Sequence, residues 1–175
     1  MRTLTMRDRL VVDASAALAV LREEAGGERV RSMLVLPAVT ELHVPDHFWL
    51  EVANVLGRQI GHTAAENAER IAELDGLGLI TDAIDRPLVL LALDSMARHG
   101  LTAYDAAYLA LAIAIDADLL TLDARLAAAA GNRDVLGTRR RVVSEEPAAY
   151  GSDAPLATWA GFGAYLAKLR ADATR

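Results

Sequence analysis

The chain contains no cysteine. Disulfides, thiolate zinc sites and cysteine nucleophiles are therefore excluded, and the absence fits a reducing cytoplasm, where we expect the protein to act. Excess positive charge is also missing: 18 Lys and Arg stand against 24 Asp and Glu, a net charge of -6. A broad basic platform for nucleic acid is thereby excluded, unless the acids are concentrated at one place for a reason. No apolar run is long enough for a bilayer; Ala106 to Ile115 spans ten residues and suits a core helix, so no membrane partner is expected. Met1 to Arg9 is polar and charged and Asp13 breaks the apolar run that follows, which is not the pattern of a signal peptide. Gly26-Gly27 and Gly76-Leu77-Gly78 lack the flanks of a phosphate-cradling loop, and Ser15 lacks a G-x-S-x-G setting. The four histidines, His43, His47, His62 and His99, show no metal-ligand spacing and read as surface or capping residues.

What is present is enough apolar material, 53% of 175 residues, to bury one continuous core. Short β-branched or leucine-rich stretches alternate with helical patterns, which predicts an α/β fold with a mainly parallel sheet. Strands are expected at Leu10 to Asp13, Leu42 to Val44, Leu79 to Ile80 and Leu119 to Thr121, with a last one at Arg139 to Val143. Ser15 is expected to cap a helix running to about Glu24, and Asp46 a helix from Phe48 to Ile60 with Trp49, Val52, Ala53, Leu56 and Ile60 as its apolar stripe. Thr63 to Glu66 has the form of a capping box, and Pro87 suits the first turn of a helix that reaches Arg98. Ser144 to Pro155 reads as a linker, followed by a helical pattern in which Trp159, Phe162, Leu166 and Leu169 form a narrow stripe. The expected division is one globular domain over 1–143 and a linker with a C-terminal helix over 144–175.

Four acids occupy comparable places. Asp13 ends the first strand, Glu51 lies in the helix after the second, Asp105 opens the apolar helix, and Asp123 follows the last core strand. Taken singly, Asp13 and Asp123 are ordinary helix caps, Asp105 completes a capping box with Thr102, and Glu51 is a solvated helix acid. Taken together, they are a set of carboxylates at the C-terminal edge of a parallel sheet, where such folds bind ligands. Carboxylates without His or Cys suit a hard cation such as Mg2+ or Mn2+, and such ions can activate water and stabilise a departing oxygen at a phosphodiester. Arg139, Arg140 and Arg141 form a short basic run that could contact phosphates, although such runs are usually just solvated.

Val11-Val-Asp-Ala-Ser15, Val44-Pro-Asp-His-Phe-Trp-Leu-Glu51-Val-Ala-Asn54, Leu101-Thr-Ala-Tyr-Asp105-Ala-Ala-Tyr108 and Leu120-Thr-Leu-Asp123 occur in this order and at this spacing. In this they resemble PIN-domain ribonucleases, specifically the VapC-type toxins of bacterial toxin–antitoxin pairs. The resemblance implies a three-layer α/β/α domain and Mg2+- or Mn2+-dependent endoribonuclease activity. It also implies an RNA substrate, a homodimer and a cognate antitoxin protein. It makes Asp13, Glu51, Asp105 and Asp123 the catalytic, metal-binding acids, and Ser15, Asn54 and Thr121 the small polar residues that orient them. The tail from Ser144 to Arg175 has no counterpart in that pattern. Two other readings use the same residues: a non-catalytic protein-binding module of the same fold, and a nuclease acting on structured DNA.

Overall fold

The computed structural model describes residues 7–34, 39 and 41–138. Four strands, β1 (Arg9–Val12), β2 (Glu41–Pro45), β3 (Leu79–Asp82) and β4 (Asp118–Leu120), form one sheet in the order β3-β2-β1-β4 with every pair parallel. Leu10, Val11, Val12, Leu42, Val44, Leu119 and Leu120 are all buried. Strands covered on both faces read as near-continuous apolar runs, which is why the three buried strands β1, β2 and β4 were visible in the sequence. Among the described residues the α-helices are α1 (Ala14–Leu21), α2 (Gly27–Leu34), α3 (Phe48–Gly57), α4 (Ala64–Asp75), α5 (Arg86–His99), α6 (Ala103–Ala114), α7 (Ala124–Ala130) and α8 (Val135–Thr138). Right-handed crossovers put α1 to α4 on one face of the sheet and α5 and α6 on the other, giving three layers. The α6 helix lies across β1, β2 and β4, and its run from Ala106 to Ala112 is buried without interruption. Among the described residues no helix is long and apolar enough to cross a membrane.

Strand order turns back on itself at β1. The chain proceeds outward to β2 and β3, then returns to place β4 on the other side of β1. The C-terminal ends of β1 and β4 therefore flank the topological switch point, the crevice such sheets offer to ligands. The register Val12↔Leu120 sets Asp13 beside Thr121, and the Asp13 N–H closes on the Leu120 carbonyl at 3.0 Å.

Several local expectations give way to tertiary structure. Asp13, not Ser15, is the N-cap of α1, because the chain leaves β1 directly into the helix and puts Ser15 inside the first turn. That helix stops at Leu21 rather than Glu24: Glu23 turns left-handed at φ 55°, and the Glu24 N–H closes back on the Ala19 carbonyl at 2.9 Å. Gly27 then passes so close to α1 that a Cβ there would stand 2.6 Å from the Ala19 carbonyl oxygen, which only glycine permits. Asp46 does not cap α3. Its carboxylate takes the Ile84 N–H at 3.4 Å instead, and the N-cap is His47, without a side-chain bond. The α3 helix ends at Gly57, its last turn tightens through Arg58 and Gln59, and Ile60 emerges fully exposed. The buried residues of α3 are Phe48, Val52 and Leu56, while Ala53 is exposed.

The capping box at Thr63 and Glu66 forms in both directions, and Asp85, just ahead of Pro87, caps α5. Beyond β4 the chain adds a single parallel bridge, Leu119↔Asp134. The expected strand at Arg139 to Val143, the linker and the helical tail lie outside the described residues.

Candidate metal centre

All four acids stand at helix N-termini. Asp13 and Asp123 are the N-caps of α1 and α7, while Glu51 and Asp105 lie in the first turns of α3 and α6. Each position is one that the helix dipole makes favourable for a negative charge. Asp13 is only 5% exposed. Its Oδ2 accepts the Ser15 hydroxyl, the Ser15 N–H at 3.3 Å and the Thr121 hydroxyl at 2.8 Å. Burial pushes its pKa up and the Glu51 charge adds to that, while the two hydroxyls pull the other way. Ser15 and Thr121 in turn accept the N–H groups of Leu122 and Asp123, each at 3.0 Å, so the loop after β4 is tied to Asp13 through two side chains.

Glu51 is half-buried, and its Oε2 accepts the hydroxyl of Tyr108 from α6. Burial raises its pKa first, and the charge of Asp105 raises it further. The His47 ring packs edge-on to Tyr108 at 4.8 Å and tilted to Tyr104 at 5.6 Å, with Nε2 3.6 Å from the same Glu51 oxygen. Burial holds His47 below the ordinary histidine range, although Asp46, Asp13 and Asp105 act in the opposite direction. Both of its ring nitrogens are buried, and neither has a hydrogen-bond partner among the described residues. Asp105 accepts the Thr102 hydroxyl on Oδ2 at 2.7 Å, and Asp123 accepts two cap N–H groups on Oδ1 at 2.9 and 2.8 Å.

A common rule emerges: every one of the four acids commits one oxygen to structural hydrogen bonds, and the other takes none among the described residues. Asp13, Glu51 and Asp105 are close enough for their charges to act on one another or on His47 between them. Asp123 joins through the Thr121 hydroxyl rather than by charge. Asn54 is exposed and makes no hydrogen bond to Glu51 among the described residues, so it is not brought into this network. Arg139, Arg140 and Arg141 lie outside the described residues.

The pattern of a family described as PIN domain matches residues 10–132, well over half of the chain. The chain belongs to the PIN domain family. Ribonuclease VapC1 of Mycobacterium tuberculosis is 34% identical over 125 residues, which span 71% of this chain and 92% of that one. Ribonuclease VapC3 of Pyrobaculum aerophilum is 36% identical over 123 residues, 68% of this chain and 92% of the relative. These relatives place the chain with the VapC-type PIN domains. The crystal structure of PAE2754 from Pyrobaculum aerophilum shares the fold, with a TM-score of 0.55 at 23% identity over 78% of this chain and 90% of that one.

The donor set of this PIN domain can be tested for a cation. Asp116, Asp118, Glu41 and Asp94, away from the crevice, are each paired with an arginine. Among the described residues none of the four crevice acids has an Arg or Lys partner, so their charge is left for something else to balance. Their free oxygens are the hard donors that Mg2+ or Mn2+ prefers. As they stand, however, no three acidic or histidine side chains among the described residues are near enough to share one ion. The donor chemistry fits a divalent cation, and holding one would require the carboxylates to draw together.

Sequence reasoning missed two residues of this centre. Tyr108 puts a hydroxyl in the middle of an apolar helix, and a buried tyrosine needs a partner; that need, three residues after Asp105, was the available signal. His47 is 8% exposed and His43 7%, so neither is a surface residue; His43 instead bonds Asp82 at 2.8 Å and Glu41 at 3.3 Å. Only His62 and His99 are exposed as expected.

The raised pKa values of Asp13 and Glu51 carry a consequence for the metal-free PIN domain. A carboxyl that binds its proton more tightly folded than unfolded adds stability below its unfolded pKa and loses it as pH rises through the folded value. With chelator present, the melting temperature is therefore expected to rise as pH falls from neutral toward the ordinary carboxylate range. Below that range it falls again, as the Arg-paired Asp116 and Glu41, whose pKa values are lowered, become protonated. Saturating Mn2+ competes with those protons and should flatten the rise. Thermal melts across pH with and without chelator check both arms.

Proposed function

We propose that this VapC-type PIN domain is an endoribonuclease that works with Mg2+ or Mn2+ as the toxin of a toxin–antitoxin pair. The observation that carries the reading is the set of four crevice acids, each with an uncommitted oxygen and none with an Arg or Lys partner among the described residues. Asp13, Glu51, Asp105 and Asp123 are the residues that would hold the cation. Bound there, a divalent cation supplies activation of a water and stabilisation of the departing oxygen during in-line displacement at phosphorus. The chain's own part is to hold the carboxylates in place. Ser15 and Thr121 fix Asp13 and tie the Asp123 loop to it, and Thr102 fixes Asp105. No side chain forms a covalent intermediate in this reading.

The relatives named ribonuclease support RNA as substrate. The VapC type supports a cognate antitoxin protein as inhibitor and action in the cytoplasm. A homodimer is supported by four large apolar residues that α5 leaves exposed, Val89, Leu90, Leu91 and Leu93. We assign nuclease function to 1–143 and treat 144–175 as an appended segment. The rival reading, a binding module of the same fold, draws on the present spacing of the acids, of which no three share one ion.

Incubation of the purified chain and Mn2+ with matched RNA and DNA decides between these readings. RNA cleavage without any 2′,3′-cyclic phosphate is expected, because water and not the 2′-hydroxyl attacks. Cleavage of DNA alone would favour the structured-DNA reading, and no cleavage of either would favour the binding module.

A further inference from the structure

Tyr108 is fully buried, yet phenylalanine would fill the same core space without a polar atom to satisfy. Among the described residues its hydroxyl has one hydrogen-bond partner, Oε2 of Glu51. Ionised Glu51 can only accept, so the tyrosine donates. One hydroxyl thus reaches the carboxylate on α3, while its own helix carries Asp105 one turn earlier. Two of the four acid-bearing helix ends are joined at this atom. The His47 ring, edge-on at 4.8 Å, holds the tyrosine ring from the side and is itself buried.

We propose that Tyr108 is a positioning residue for the metal centre, its hydroxyl fixing the Glu51 carboxylate so that Oε1 is the oxygen left for the cation. This rests on the reading of the four acids as metal ligands. A free glutamate samples many rotamers, and a cation that had to order it would bind less tightly. Partners behind a ligand typically set affinity by about tenfold to a hundredfold.

The test is Mn2+ binding by titration calorimetry on wild type, Tyr108→Phe, Glu51→Gln and the double variant, with melting of the metal-free proteins and steady-state cleavage alongside. Tyr108→Phe keeps the ring and its contact with His47. It is expected to weaken Mn2+ binding at least tenfold and to lower kcat with KM for RNA unchanged, while the double variant binds no worse than Glu51→Gln alone. A purely structural tyrosine would instead lower the melting temperature and leave Mn2+ affinity as in wild type. Wild type that binds Mn2+ and Tyr108→Phe that binds it equally well would overturn the assignment of Tyr108 alone. Loss of affinity of equal size in the Glu51→Gln background would overturn it too. Wild type that takes up no Mn2+ would remove the metal reading and this role together.

Discussion

Asp105→Asn is expected to reduce RNA cleavage by about a thousandfold, roughly 4 kcal/mol in the barrier, while the protein melts within a few degrees of wild type. The asymmetry follows from what the carboxylate does locally. Its Oδ2 accepts the Thr102 hydroxyl at 2.7 Å, and its N–H returns to the Thr102 oxygen at 3.2 Å. An asparagine oxygen can accept the same bond, so the first turn of α6 keeps its cap. What disappears is a unit charge near the dipole, worth about 0.3–1 kcal/mol to stability. On the functional side the loss is larger, because the neutral amide is a poorer ligand for a hard divalent cation and no longer balances it. The measurement is cleavage rate at saturating Mn2+ together with a thermal melt. Wild-type cleavage by Asp105→Asn would remove this residue from the centre.

Chelation is the second large effect. Stripping divalent ions should bring cleavage to the background level, and Mn2+ added back should restore it. The argument is electrostatic before it is catalytic: Asp13 and Glu51 already resist ionisation through burial, and each feels a further negative neighbour. An RNA phosphate approaching that crevice meets repulsion unless a cation reverses the local sign. Binding should also stabilise the fold, by about 2.7 kcal/mol when the free ion stands at 100 times its Kd. Activity and melting temperature are thus expected to recover over the same range of Mn2+. Cleavage that persists in excess chelator would point to a different mechanism or to a contaminating nuclease.

The inner sheet and the buried α6 helix were legible in the sequence because strands and helices covered on both sides need uninterrupted apolar residues, and Val11, Val12, Leu119 and the run from Ala106 supply them. Helix ends were legible only where the competing partner is local. Thr63 and Glu66 satisfy one another within three residues, so their box formed as expected. Asp46 was read as a cap but bonds Ile84, thirty-eight positions away, and nothing in the neighbourhood of Asp46 announces that.

Of the candidate centre, the acids stood out as a series, whereas the groups that hold them did so unevenly. Ser15, in the first turn of α1, and Thr121, just past β4, meet beyond the ends of adjacent strands and both bond Asp13, an encounter set by the β1–β4 register. Asn54 shares a helix with Glu51 but faces solvent, since three residues of spacing brings side chains near without making them bond. His47 and Tyr108 come from different layers, and their meeting over Glu51 depends on the packing of α3 against α6 across the sheet edge.

Four helices opening at one crevice have a consequence for how this lineage can change. Asp105 and Asp123 are rewarded by folding alone, through cap bonds and the positive end of each helix, whereas the buried charges of Asp13 and Glu51 cost stability with no cation to offset them. A descendant that ceased to degrade RNA would therefore shed the first two slowly and the buried pair sooner. An extinct activity would leave half of its machinery standing, kept in repair by thermodynamics rather than by use.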